Sequence, residues 1–258
     1  MSPQTYDLLE ARVFPTRDAM GAAAASLAAG IIAAACAQRG EARVIFACAP
    51  SQNEFLAALT SPAHRASIDW TKVTAFHMDE YVGFTGSREE SFRHYLRTHL
   101  IQQLPTPPQF HEIRGEAPVL DEECARYTAL LTERPIDLVC LGIGENGHLA
   151  FNDPPVADFQ DPETIKIVPL DESCRQQQVN DGCFPNLEAV PTHALTLTIP
   201  TLFSARYVSG CVPGPRKAEA VRASLLDPIS TNCPASILRT HPRAVLHLDA
   251  DSASMLPS

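Results

Sequence analysis

His148 lies in the stretch CLGIGENGHLAFND (140–153), with Asn146 just before it and Asp153 at the end of the same stretch. A neutral imidazole titrates near working pH, so it can take a proton from one oxygen of a small molecule and return it to another. A second stretch, KVTAFHMDEYVG (72–83), places Asp79 and Glu80 just past an apolar run. In extended backbone, neighbouring side chains point to opposite faces, so only one of these carboxylates faces a given pocket. That argues against a glycosidase pocket made from Asp79 and Glu80 alone. A single carboxylate near a histidine suits proton shuttling instead.

The glycines of the first stretch, Gly142, Gly144 and Gly147, have the spacing of a dinucleotide-binding turn. Such a turn needs a strand, then a helix whose N-terminus faces the pyrophosphate. Pro154 and Pro155 follow too soon for a full helix to run from it. The stretch reads instead as a loop at a strand end that presents Asn146, His148 and Asp153, with Gly144 and Gly147 letting a ligand come close.

The elements around these loops alternate. Apolar runs of strand length fall at 43–49, 72–78, 136–142, 193–199, 206–212 and 244–249, and helical patterns near 18–38, 52–60, 88–101, 121–133 and 215–226. This pattern predicts an α/β fold, a doubly wound, mostly parallel sheet with helices on both faces. The chain shows no composition shift, and 1–258 reads as a single domain. In such sheets ligands sit at the carboxyl ends of the strands. LPTPP (104–108) and NDPP (152–155) mark loops.

A formal net charge of −10 argues against nucleic acid and anionic membrane as partners, since both need a basic face. The uncharged run AMGAAAASLAAGIIAAACA is long enough to raise the membrane question, but alanine and glycine are weakly apolar, and it reads as a buried helix packed on a sheet. The eight cysteines are scattered, with no C-x-x-C and no zinc spacing, and read as free thiols of a reduced cytoplasm. Asp7 and Glu10 argue against a basic leader at the N-terminus.

Together these segments resemble the glucosamine-6-phosphate deaminase/isomerase family, which shares its fold with the 6-phosphogluconolactonases. FHMDEYVG looks like the family's strand-end signature and LGIGENGHLAFNDP like its histidine loop; VPTHALTLTIPTL, GPRKAEAV and PASILRTHPRAVLHLD follow in the family's order. The similarity runs from about residue 15 to 250. Tyr81, where the lactonases have Arg, and AFND, where they have SLFP, favour the deaminase side. The resemblance implies that His148 opens the hexose ring and that Asp79 moves a proton between the carbon bearing the amine and its neighbour, giving a ketose phosphate and ammonia. It implies no metal and no organic cofactor, and a small sugar or sugar phosphate as partner. Glu80, Ser51, Gly144, Gly147, Lys217 and Arg175 are the expected substrate-binding residues.

The match departs from the family at three places. Asn146 and Asp153 stand where the family usually has Asp and Glu; Asp153 is one carbon–carbon bond shorter, about 1.5 Å, so reaching the imidazole needs a loop shift. On this reading Asn146→Asp raises turnover in a weakened family member. CAPSQNEF (48–55) replaces a Thr-Gly-Gly-Thr-Pro-like phosphate turn, and Ser51–Glu54 reads as a helix capping box. A lid arginine is replaced near Asn180, with Arg175 within reach of the same place. The polar segment 156–186 is the expected lid. Two other readings stand beside a deaminase: the same scaffold acting on a different or non-phosphorylated amino sugar, and a sugar-binding regulator without turnover. Assembly into a homo-oligomer stays open.

Overall fold

The computed structural model describes residues 3–257. In chain order the strands are β1 (Gln4–Tyr6), β2 (Leu9–Phe14), β3 (Ala42–Phe46), β4 (Val73–His77), β5 (Asp79–Tyr81), β6 (Gln109–His111), β7 (Leu138–Leu141), β8 (Ile165–Pro169), β9 (His193–Leu197), β10 (Tyr207–Val212) and β11 (Ala244–Asp249). The helices are α1 (Arg17–Arg39), α2 (Asn53–Leu59), α3 (Pro62–Ser67), α4 (Phe92–His99), α5 (Leu120–Thr132), α6 (Glu172–Asn180), α7 (Ile199–Phe203) and α8 (Ala218–Leu226).

Eight strands form one sheet in the order β1-β2-β11-β10-β7-β3-β4-β6, parallel throughout except for the β1–β2 hairpin. Its central strands are apolar on both faces, as a doubly covered parallel sheet requires: every residue of β3 and β7 is buried. Helices α1, α2 and α4 close one face around Ala28, Ile32, Phe55 and Leu96, while α5, α7 and α8 close the other around Tyr127, Leu202 and Val221. The expected α/β architecture is therefore present, with its core in two layers. The small-residue run of 19–37 lies inside α1 and packs on the sheet as read: Ala24, Ala25, Ala28 and Ile32 are fully buried.

After β3 the chain adds β4 and β6 on one side; it then returns to place β7 on the other side of β3. This reversal is the switch point at which a parallel sheet leaves a crevice beyond its strand ends.

The sequence reading errs in two places. The strand read at 193–199 does not join the main sheet: β9 is the centre of a second, antiparallel sheet, β5-β9-β8, that stands beside it. The capping box at Ser51–Glu54 does not form. Pro50–Gln52 makes a short 3-10 turn, α2 begins at Asn53 without a side-chain cap, and Glu54 turns to Arg17 at 2.9 Å. An ion pair with the guanidinium outcompetes a local bond that the 3-10 turn has already misaligned.

Candidate active site

Four strand ends converge on one cavity of about 540 Å³. The turn after β3 contributes Cys48 and Ser51, the end of β4 Met78 and Asp79, the loop after β7 Gly142, Gly144 and His148, and the turn after β10 Gly214, Arg216 and Lys217. Each of these lies at the end of an apolar run or in the few residues that follow it.

Asp79 opens β5, and the alternation of that strand separates it from Glu80. Asp79 lines the cavity; its carboxyl accepts no hydrogen bond from another described residue. Burial raises its pKa well above the ordinary aspartate value, and the charge of Glu80 adds to the rise. Such a carboxyl is short of solvation and therefore basic. Glu80 points the other way and corrects the expectation that it binds substrate. It is wholly buried and accepts from Ser91 Oγ at 2.7 Å, from the backbone of Phe92 and Arg93 at 3.2 Å each, and from the Tyr81 backbone at 3.0 Å. It holds the start of α4 in place and faces Arg93 at 3.4 Å.

The histidine loop is anchored before it presents anything. Phe151 N–H donates to Thr196 Oγ1 at 3.0 Å, and the buried Asn152 amide donates to the carbonyls of Leu149 and Leu197 at 2.8 Å each, which fixes the loop to β9. Gly144 lies beneath the imidazole: a Cβ there would stand 2.2 Å from His148 Cε1. His148 Nδ1 approaches Asp153 Oδ1 at 2.9 Å without aligning its N–H along that vector. Nε2 has no protein hydrogen-bond partner among the described residues and belongs to a side chain that lines the cavity. Asp153 thus reaches the histidine despite its shorter side chain, because the loop closes on itself through a bridge between Leu149 and Asn152.

Asn146 makes no hydrogen bond to the ring. Its Oδ1 accepts the His148 backbone N–H at 3.1 Å, and its Nδ2 donates to Asp153 Oδ1 at 2.8 Å. Burial raises the Asp153 carboxyl, but contacts with His148, Asn146 and Cys174 together outweigh it and hold the carboxyl below its ordinary value. His148, Asp153 and Cys174 each offer one donor atom, all within 4.8 Å of one another, and are the described residues grouped closely enough to hold a metal ion.

Lys217 enters from the turn that precedes α8. Gly214 N–H is held by both oxygens of Asp249 at 3.0 Å, which fixes the turn. Lys217 is 7% exposed, lines the cavity, and makes no ion pair among the described residues. Burial lowers its pKa, and the negative charges of Asp181 and Glu145 oppose that shift. A buried cation without a partner is a seat for an anion.

Ser51 lines the cavity and accepts from Gln52 Nε2 at 3.0 Å. Besides Glu80, two expected binding residues are elsewhere. Arg175 donates to the carbonyls of Leu187 and Val190 at 2.7 and 3.0 Å and so ties down the end of its own segment. Gly147, in left-handed backbone with φ 82°, packs against Cys233, where a Cβ would come within 2.6 Å of the sulfur; it shapes the loop rather than the cavity wall. The positive rim comes instead from Arg17 and Arg216, which the sequence reading did not single out. Arg216 pairs with the Asp181 carboxylate and donates to the Asn180 carbonyl at 2.9 Å. Its place next to Lys217 was a usable signal; nothing local to Arg17 marks it, since its cavity neighbours lie over thirty residues away.

Gln177, Gln178, Asn180 and Asp181, from α6 and its end, complete the wall. The Glu145 N–H donates to Gln177 Oε1 at 2.8 Å, so α6 rests directly on the histidine loop.

The family model described as glucosamine-6-phosphate isomerases/6-phosphogluconolactonase matches residues 15–246. The chain is 37% identical over 192 residues to a glucosamine-6-phosphate deaminase of Listeria welshimeri, covering 74% of this chain and 80% of that one. It is 38% identical over 188 residues to a glucosamine-6-phosphate deaminase of Bacillus cereus, covering 73% and 70%. Among solved structures it is similar to a monomeric glucosamine-6-phosphate deaminase, with a TM-score of 0.87 and 28% identity over 95% of this chain and 99% of that one. A 6-phosphogluconolactonase from Shewanella baltica shares the fold at a TM-score of 0.76 and 18% identity, over 95% and 97% of the two chains. A site at the sheet's switch point, a family model spanning nearly the whole chain and relatives above 30% identity agree: this protein belongs to the glucosamine-6-phosphate isomerase/6-phosphogluconolactonase family.

Proposed function

We propose that this protein is a glucosamine-6-phosphate deaminase-like enzyme that converts an amino-sugar phosphate and water to a ketose phosphate and ammonia. The observation that carries the reading is the placing of one buried, unpaired cation, Lys217, in the same cavity as one desolvated carboxyl, Asp79, and one imidazole, His148.

His148, through Nε2, takes the proton of the anomeric hydroxyl and returns it to the ring oxygen, which opens the hexose. Asp79 then takes the proton from the carbon bearing the amine and delivers it to the neighbouring carbon through an enolamine. Water replaces the amine on the resulting imine, and ammonia leaves. Asp153 holds the ring from behind, Asn146 orients Asp153, and Lys217 with Ser51 and Arg216 binds the phosphate. Each step needs only acid–base groups in defined positions. The segment 156–186 serves as the lid, with α6 as its working face. The whole chain acts as one domain in this reading, and its free cysteines fit a reduced cytoplasm.

A second reading, the same chemistry on another or a non-phosphorylated amino sugar, is favoured by the turn at Cys48–Ser51. Pro50 there offers no backbone donor to a phosphate. Ammonia release from glucosamine-6-phosphate beside free glucosamine separates the two. Turnover of the phosphorylated sugar alone supports the first reading, turnover of the free sugar the second, and turnover of neither from a panel of amino sugars overturns both.

A further inference from the structure

We propose that His148, Asp153 and Cys174 form a binding site for a thiophilic divalent cation, best matched by Zn²⁺, and that its occupation shuts the cavity down. The donors are of three kinds, an imidazole nitrogen, a carboxylate oxygen and a thiol sulfur, within 4.8 Å of one another. All three side chains are buried, at 8%, 1% and 1% exposure. Two of the donor atoms, His148 Nδ1 and Asp153 Oδ2, are buried without a hydrogen-bond partner. His148 Nδ1 meets Asp153 Oδ1 at 2.9 Å off the line of a good hydrogen bond, and Asp153 Oδ2 stays without a partner; an ion among the three side chains satisfies both atoms better than the present contact does.

The mixed nitrogen, oxygen and sulfur set selects among ions. Zn²⁺ takes such ligands at roughly 2.0–2.3 Å in a tetrahedral array, and donor atoms within 4.8 Å of one another lie near the spacing that such an array needs. Mg²⁺ and Ca²⁺ prefer oxygen ligands and gain little from the sulfur. Binding exchanges the Cys174 thiol proton for the ion and releases that proton to water. Three protein ligands leave the fourth position to water, and His148 lines the cavity, which gives the ion its way in.

The consequence for turnover rests on the function proposed above; the coordination does not. An ion on Nδ1 separates the imidazole from Asp153 and leaves the ring with a fixed proton on Nε2, which ends its service as a relay. Cys174 belongs to α6, so the same ion ties the proposed lid to the histidine loop.

Co²⁺ titrated into the purified protein serves as the spectroscopic probe, with Zn²⁺ inhibition as the functional one. The expected result is one equivalent of Co²⁺ giving a thiolate-to-metal charge-transfer band that Zn²⁺ displaces. That band is absent in Cys174→Ser and Cys174→Ala; the alanine guards against a misplaced hydroxyl in the buried position. With each protein scored against its own rate in chelator-treated buffer, half-inhibition of the variants by Zn²⁺ requires roughly 10- to 100-fold more metal. No charge-transfer band, or equal Zn²⁺ inhibition in the variants, overturns the proposal. A band lost with Cys174 in a protein that releases no ammonia upholds the site and counts against the proposed reaction alone.

Discussion

The imidazole of His148 rests on the α-carbon of Gly144, so closely that a methyl group at 144 would overlap the ring, with 2.2 Å to Cε1. Residue 144 accordingly sets where the proposed proton relay sits, although it offers no chemistry of its own. Gly144→Ala is expected to retain the fold and to lower kcat by about 10²-fold, the cost of misplacing a reacting group by an ångström. Circular dichroism and steady-state ammonia release check it; unchanged turnover would mean that the ring position is not what matters.

The bond between Asn146 and Asp153 reverses the sign expected for Asn146→Asp. Asn146 donates to the Asp153 oxygen that faces His148, at 2.8 Å. A carboxylate at 146 removes that donor and sets two negative charges together, so that one of them must hold a proton. Turnover at neutral pH is expected to fall about tenfold, and the loss should shrink toward acid pH as the shared proton returns. A rise in turnover at neutral pH would restore the simpler view of a weakened family member.

Which parts were legible follows from range. The parallel sheet, α1 and the two chemical stretches could be read because each is written in consecutive residues: apolar runs such as RVIF and LVCL, and the loop GENGH. The second sheet could not, since β5 has three residues paired over a hundred residues away, and β8 mixes Lys166 and Pro169 into its apolar run. The failures at Arg175 and Glu54 share a cause. Each was placed by sequence neighbourhood, while carbonyls at 187 and 190 and the guanidinium of Arg17 decide where their side chains go. Asp79 and Glu80 are a mixed case: period-two alternation sends them to opposite faces, as found, but does not say which of them the cavity takes, and so Glu80 too reads as a binding residue from sequence.

That separation gives neighbouring carboxylates opposite phenotypes. Glu80→Ala removes the acceptor for Ser91 and the start of α4 and leaves Arg93 buried beside an empty space. Arg93 keeps Glu116 and the Phe84 carbonyl, so the loss is that of the buried donors left without an acceptor, about 3 kcal/mol. At roughly 2–4 °C per kcal/mol this lowers Tm by about 10 °C. Activity per folded molecule should persist at low temperature; abolished turnover in a folded sample would return Glu80 to the active site.

Asp79→Asn should do the reverse. Burial raises the Asp79 pKa, so the fold favours the neutral carboxyl, and that preference is fully present below the unfolded pKa and lost as pH rises through the folded one. Above the ordinary aspartate pKa the buried carboxyl costs the fold stability that the amide does not. Tm is expected to rise by several degrees while turnover falls about 10²–10⁴-fold, the range for losing a general base. In the parent, the acid limb of kcat/KM should lie above the ~3.9 of ordinary aspartate. A limb at the ordinary value, or a lower Tm in Asp79→Asn, would remove the case for a desolvated base.

Lys217 provides the test that bears most directly on the substrate. Its ammonium is buried against the cavity and has no ion-pair partner among the described residues; Asp181 and Glu145 offset part of its cost to the fold, and an arriving anion offsets more. Charge-assisted bonds of this kind contribute about 1.5–3 kcal/mol, or roughly 10- to 100-fold in affinity. Lys217→Met keeps the length and removes the charge. It is expected to raise KM for glucosamine-6-phosphate by that factor, to leave any turnover of free glucosamine unchanged, and to raise Tm in phosphate-free buffer. Inorganic phosphate should stabilise the parent and not the variant. Equal stabilisation of both would place the anion on Arg17 and Arg216 at the rim, and Lys217 would then be a scaffold residue of α8.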